Sequence, residues 1–266
     1  MKRIIVTPAG RKIYLDLLLQ NLVKCRDEFD EWHLWLNTEI EQDLAHMRYM
    51  ADQYRFIKLV QPTIPYNRNY SIYHFFKATA NPNEIYLRLD DDICYIRPGS
   101  INKIYLSRLA DPQPFLIYGN IINNAVITYL HQHNGAMHTR AGLTGYECMH
   151  HIGWGDPKFA EEVHYNFFSH LQNHNLDIYK MPDWRLLNFE RVSINTICWL
   201  GHVFNQFGGE VGMDEEQWLS VDKPTQINCP NKICGNSLFV HFAFHTQRQH
   251  LETTNLLDRY YSVSGL

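Results

Sequence analysis

Short apolar runs alternate with helical stripes through the first hundred residues. Lys2 to Thr7 is a β-branched run that ends at the breaker "PAGR", as a first strand should. Leu15, Leu18, Leu19 and Leu22 then recur at the i, i+3, i+4, i+7 spacing of an amphipathic helix. "EWHLWLNT" (31–38) reads as a second strand, Ile40, Leu44, Met47 and Ala51 as the stripe of a second helix, and "RFIKLVQP" (55–62) as a third strand. After the loop "TIPYNRN", Ile72, Phe75, Phe76 and Thr79 mark a third helix. "EIYLRLDDDICYIR" (84–97) alternates Ile85, Leu87 and Leu89 with Tyr86 and Arg88, the pattern of a buried strand. The order βαβαβαβ predicts an α/β fold: a mostly parallel, Rossmann-like central sheet flanked by helices, with ligands received at the carboxyl ends of its strands.

The second half has weaker periodicity and predicts a smaller, mixed region. Ser100 to Ala110 reads as a helix, and "PFLIYGNIINNAVI" (114–127) as one or two strands. Residues 131–155, rich in His and Gly, read as a long loop, a kind of segment that is often functional in compact domains. Asp156-Pro157 starts a helix marked by Ala160, Val163, Phe167 and Leu171. Ile194, Ile197, Cys198, Gly201 and Phe204 mark another. Near the end, Leu238, Val240, Phe242 and Phe244 form one face of a strand, with Phe239, His241, Ala243 and His245 on the other. No linker or repeat divides the chain, so 1–266 is expected to be one domain, with a ligand-binding half (1–98) and a catalytic half (99–266).

Composition narrows the class. An apolar fraction of 45% and a charged fraction of 20% fit a globular protein. A net charge of −4 gives no global case for nucleic acid as a partner. Six scattered cysteines without a C-x-x-C pair read as reduced thiols of a cytoplasmic protein. Arg11, Lys12 and Asp16 interrupt the N-terminal apolar run, which is therefore neither a signal peptide nor a membrane span. This pattern leaves peripheral association with a membrane open.

The chemistry concentrates at Asp90, Asp91 and Asp92. Three adjacent acids repel one another unless a cation or ligand sits among them. On an extended chain Asp90 and Asp92 face one side, so the pair suits a hard divalent ion, Mg²⁺ or Mn²⁺, completed by phosphate oxygens. An acidic turn that merely ends a strand is the structural alternative. Strand 1 brings Thr7, Pro8, Ala9 and Arg11 to the same edge, strand 2 brings Asn37 and Thr38, and strand 3 leads to Arg68. The loop after strand 1 matches neither a P-loop nor G-x-G-x-x-G. Asp214, Glu215 and Glu216 follow a glycine-rich turn and precede Trp218. They read either as dipole stabilisers of a first helical turn or as a general base beside an aromatic wall. His241 and His245 are candidate metal ligands and Arg248 a candidate phosphate ligand. Trp154, Trp184 and Trp199 are candidates to stack on sugar rings or to anchor core and loops.

Three motifs in order, "YLRLDDD", "DEEQWL" and "VHFAFHTQR", resemble the D-x-D, acidic base and C-terminal histidine motifs of GT-A glycosyltransferases, and together they span most of the chain. The resemblance implies a metal-dependent transferase moving a sugar from a nucleoside-diphosphate sugar, with UDP favoured, to a hydroxyl of a glycan or other acceptor. It implies Asp92 as metal ligand, with Asp90 and His241 and, further on, His245 beside it. Arg88 and Asp91 would support the donor site, Thr7 to Arg11 with Asn37 and Thr38 would receive base and ribose, and Arg68 and Arg248 the phosphate end. The base falls at Glu216 by register, with Glu215 as its partner and Asp214 as a third acid, which suggests inversion. A sugar nucleotidyltransferase and a non-catalytic carbohydrate-binding protein are the alternatives.

Overall fold

A computed structural model of the chain describes residues 1–265. Its strands are β1 (Lys2–Ala9), β2 (Glu31–Leu36), β3 (Ile57–Val60), β4 (Glu84–Leu89), β5 (Ile93–Ile96), β6 (Ile117–Ile122), β7 (Trp184–Arg185), β8 (Thr196–Leu200) and β9 (Lys232–His241). They form one sheet in the order β3-β2-β1-β4-β8-β6-β9-β5, with β7 beside β9. The first four strands pair in parallel, as the βαβαβαβ reading predicts. β8 runs antiparallel between β4 and β6, and β9 is parallel to β6.

Helices cover the sheet because its strands are apolar on both faces. α1 (Lys12–Lys24) buries Leu15, Leu18 and Leu22, while α2 (Glu41–Gln53) buries Met47 and Met50. The third predicted helix is a 3₁₀ segment, Ile72–Thr79. α3 (Ser100–Ala110), α4 (Ala125–His133) and α5 (Pro157–Gln172) follow. Asp156 caps α5, its Oδ1 accepting from the backbone N–H of Lys158 at 2.8 Å. Trp35 stacks on Phe75 at 5.0 Å and Trp199 on Tyr86 at 5.6 Å, which seals the sheet around β1 and β4. No helix among the described residues is long and apolar enough to cross a membrane.

Four predicted boundaries differ from the structure. Residues 194–204 are not one helix: β8 ends at Leu200 and a short helix, Gly201–Asn205, follows. The stripe misleads because the strand is buried on both faces and so lacks a period of two. The apolar run at 114–127 is one strand that passes into α4 at Ala125, so α4 also takes the start of the predicted loop at 131. β9 stops at His241, and His245 opens a helix, His245–Leu251, instead of sharing a strand face with His241. The run 84–97 is two strands, and Asp90 to Asp92 form the turn between them. They do not alternate on an extended chain.

That turn determines the site. The chain leaves β4 in the middle of the sheet and re-enters as β5 against β9. The step is short because β9 is irregular: its register against β6 slips between Gly119 and Ile121, and such bulges bend a strand. β5 pairs Ile93 with His241, so Asp92 comes alongside His241, and Phe242 donates its N–H to the Asp92 carbonyl at 2.9 Å. Among the described residues no further strand pairs with the outer edge of β5. Asn21 of α1 substitutes for one, accepting from Ile96 N–H at 3.0 Å and donating to the Cys94 carbonyl at 3.3 Å. Replacing Asn21 with Ala leaves a buried N–H unpaired, and we expect a loss of about 2 kcal/mol in urea unfolding. Faster exchange of the Ile96 amide should accompany it. Unchanged stability would show that β5 does not depend on this side chain.

Candidate active site

The parallel strands deliver their carboxyl ends to one edge, and β8 delivers its amino end there. Gly10 and Arg11 therefore follow β1, Asn37 and Thr38 follow β2, and Asp90 to Asp92 follow β4. His241 ends β9, and Asn195 precedes β8. Together they line a cleft of about 590 Å³, at the point where connections diverge to the two sides of β1, with Asn123 and Asn124, which follow β6, buried behind it. Gly10 is required there by close approach: a Cβ would meet the Asn37 carbonyl oxygen at 2.8 Å.

Each acid of the turn meets at least one cation, and Asp91 and Asp92 share Arg11. Asp91 is buried and takes Arg11 in a bidentate pair, with the Gly10 N–H donating at 3.2 Å. Asp92, also buried, receives Arg11 and Arg248, each at 3.0 Å, and faces His241 Nε2 at 3.5 Å. Burial opposes ionisation of Asp92, but Arg11, His241 and Arg248 outweigh it and hold its carboxyl well below the usual carboxylate range. Asp90 accepts from Arg88 Nε at 3.0 Å and from Asn195 Nδ2 at 3.1 Å. Asn195 is itself oriented by Asn124, whose Nδ2 donates to its Oδ1 at 3.1 Å.

Arg88 links this turn to the later acids. Its side chain is 4% exposed and bridges Asp90 at 2.9 Å to Glu215 at 3.0 Å. Glu216 instead accepts from Arg191 Nε at 2.8 Å and from the Cys148 thiol at 3.3 Å. Asp214 is exposed, pairs with Arg191, and caps its helix by accepting from Gln217 N–H at 3.1 Å. Glu215 differs from both: its Oε2 is buried without a hydrogen-bond partner. Burial, aided by Asp90 and Glu216, outweighs Arg88 and pushes its carboxyl from 4.5 up to about 7.

The predicted site residues therefore divide. Pro8, Arg11, Asn37, Thr38, Arg88, Asp90, Asp91, Asp92, Glu215, Glu216, His241, His245 and Arg248 all line the cleft. Thr7 is buried in the sheet, where its hydroxyl accepts from Trp32 Nε1 at 2.9 Å, and Ala9 is a core residue. Arg68 sits on an exposed loop with φ of +49°. Asp214 lies outside the cleft lining.

For a divalent ion, the structure brings together Asp92 and His241. His241 Nδ1 donates to the Asn123 carbonyl at 3.1 Å, which turns Nε2 toward Asp92 Oδ1. One carboxylate oxygen and one imidazole nitrogen fit Mn²⁺ or Mg²⁺ only if other oxygens complete the shell. Among the described residues no three His, Cys, Asp or Glu side chains cluster closely enough to hold an ion. Asp90 is taken up by Arg88 and Asn195, and His245 is on the next helix.

Sequence reasoning missed Arg191, Asn123, Asn124 and Asn195. The asparagines carried one signal, the polar pair "NN" that closes the apolar run of β6. Arg191 carried none, since it lies in an irregular segment without periodicity.

No family model matches the chain, and no curated protein sequence matches it. Solved structures share its fold. A mannosyltransferase from Pyrobaculum calidifontis, in complex with GDP-mannose and Mn²⁺, superposes with a TM-score of 0.51 at 11% identity, over 90% of this chain and 56% of the other. The chain thus spans about half the length of that enzyme. A CMP:2-keto-3-deoxy-manno-octonic acid synthetase complexed with CTP gives 0.52 at 11% identity, over 97% of this chain and 99% of the other. This chain has the α/β fold, with a mixed and mostly parallel central sheet, found in both kinds of enzyme.

Proposed function

We propose that the protein is a metal-dependent glycosyltransferase that moves a sugar from a nucleoside-diphosphate sugar, UDP favoured, to a hydroxyl of a glycan or other acceptor. One observation carries the reading: an oriented Asp92–His241 pair shares its cleft with Glu215, a carboxylate held near neutrality with one buried oxygen unpartnered. In this reading base and ribose lie against Pro8, Gly10, Asn37 and Thr38, with Tyr66 and Asn69 on the rim. Asp92 and His241 would hold the divalent ion, which supplies positive charge against a departing diphosphate. Arg248, whose buried Nε has no hydrogen-bond partner, and Arg11 would bind the phosphates as they are released from Asp92.

Glu215 would take the acceptor's proton. A base poised near the working pH is ionised often enough to act and basic enough to accept. Glu216 is already neutralised by Arg191, and Asp214 acts as a helix cap. A carboxylate base of this kind suits direct displacement with inversion at the anomeric carbon. All six cysteines are free, which agrees with a reducing, cytoplasmic setting, and association with a membrane surface remains compatible with the fold. A net charge of −4 gives no reason to invoke nucleic acid. Sugar nucleotidyltransfer is the second reading, favoured by the end-to-end match with the CTP-bound synthetase.

Calorimetric titration of UDP, GDP and CTP, with and without Mn²⁺, tests both readings. Micromolar UDP binding that requires Mn²⁺ and is lost in Asp92→Ala is the expected result. A preference for CTP would favour nucleotidyltransfer, and no binding of any nucleotide would overturn both.

Glu215 makes a second prediction. Its folded pKa of about 7 lies above its unfolded value, so the fold favours the protonated form. The associated stability is fully present below about pH 4.5 and is lost as pH rises through 7, a change of about 3 kcal/mol. Glu215→Gln removes this dependence. The variant should therefore gain on the wild type between pH 5 and pH 8 in urea unfolding, while transfer that rises through pH 7 in the wild type should be abolished. Parallel stability profiles for the two proteins would exclude the raised pKa.

A further inference from the structure

Of the six tryptophans only Trp154 lines the cleft: Trp184 is exposed on β7, where its Nε1 donates to the Tyr146 hydroxyl at 2.8 Å, and Trp218 packs half-buried against the core. Trp32, Trp35 and Trp199 are fully buried core residues. Trp154 instead lines the cleft from the loop between α4 and α5, beside Phe244 at a ring separation of 6.2 Å. Phe244 in turn packs on His241 at 4.7 Å, so an aromatic wall runs from the Asp92–His241 pair out to Trp154. Met149 and Ile194 extend its apolar surface.

This wall is held rigidly. The Trp154 carbonyl accepts from the Thr246 hydroxyl at 2.6 Å, and the Gly153 carbonyl from Gln247 Nε2 at 3.2 Å. A Cβ on Gly153 would meet Thr144 Oγ1 at 2.1 Å, so the backbone beside the indole is closely packed. At its other end the loop is anchored where the Cys148 thiol meets Glu216. The segment from Cys148 to Trp154 therefore joins the acids to the aromatic wall.

We propose that Trp154 and Phe244 form a subsite for a neutral pyranose ring of the acceptor. The proposal rests on the transferase reading for the word acceptor, and on the cleft alone for the sugar. A pyranose presents an apolar C–H face and a rim of hydroxyls, and this end of the cleft offers an aromatic face next to carboxylate acceptors. Arg191 is already paired with Asp214 and Glu216, and Arg248, whose backbone N–H bonds the Phe244 carbonyl, is paired with Asp92 and assigned to the donor phosphates. The opposite end, at Pro8, Asn37 and Thr38, is polar and suits a nucleoside. A ring seated on Trp154 would share the cleft with Glu215, the base that one of its hydroxyls would have to reach.

Saturation-transfer NMR with methyl glucoside, galactoside and mannoside, each with and without UDP and Mn²⁺, tests the subsite directly. The expected result is transfer to ring C–H protons of at least one glycoside. The signal should fall about tenfold in Trp154→Ala and be largely restored in Trp154→Phe, as lost and regained stacking requires. Equal transfer in wild type and Trp154→Ala, or transfer to none of the three, would overturn the subsite. Calorimetry of UDP and GDP in the same samples separates the two proposals. Binding of either nucleotide without glycoside transfer sinks the subsite alone, whereas glycoside transfer without binding of either upholds the subsite and sinks the transferase.

Discussion

Three carboxylates in one tight turn at the edge of an apolar sheet repel each other and lose their hydration, so the turn persists only if cations are brought to it. Here the cations come from distant parts of the chain. Arg11 comes from the β1–α1 junction, Arg88 from within β4, and His241 and Arg248 from the end of β9 and the helix after it. The turn thus couples the two halves of the sheet. A change that displaces one of these groups leaves a buried charge uncompensated, a far larger cost than the loss of a surface pair.

The first half of the fold was legible because its strands are short apolar runs separated by helices with clear stripes. Leu15, Leu18 and Leu22, or Trp32 and Leu34, announce their faces without help from the rest of the chain. The second half was less so, because β8 and β9 are buried on both faces and their residues need not alternate. Ile197, Cys198 and Phe204 look helical for that reason. The turn at Asp90 to Asp92 was misread geometrically, since nothing local says that Ile93 leaves the β4 line to pair with His241. That pairing depends on the irregular register of β9, which only the tertiary structure reveals.

The candidate site followed the same division. Asn37, Thr38 and Asp92, read at the ends of predicted strands, line the cleft, as does His241, which was read within a longer strand. Residues whose role is to orient others were missed. Asn123 sets the His241 tautomer through a backbone carbonyl, and Asn124 acts on Asp90 only through Asn195. Side chains that work at one remove carry no motif, because a motif records groups that touch the ligand and not the groups that aim them.

The choice among Asp214, Glu215 and Glu216 shows how one position in a helix turn separates roles. All three begin a short helix, and by composition any could serve. The backbone puts Asp214 at the cap, where its side chain closes onto Gln217 N–H, and turns Glu216 toward Arg191 and Cys148. Glu215 is turned inward to Arg88. Arg88 is itself divided between Glu215 and Asp90, so its charge stabilises neither carboxylate fully. Burial then raises the one that lacks further donors. Asp90, with Asn195 as an additional donor, keeps a second hydrogen bond that Glu215 does not have. Burial, which Arg88 alone does not offset, is what leaves a carboxyl near neutrality at this wall of the cleft.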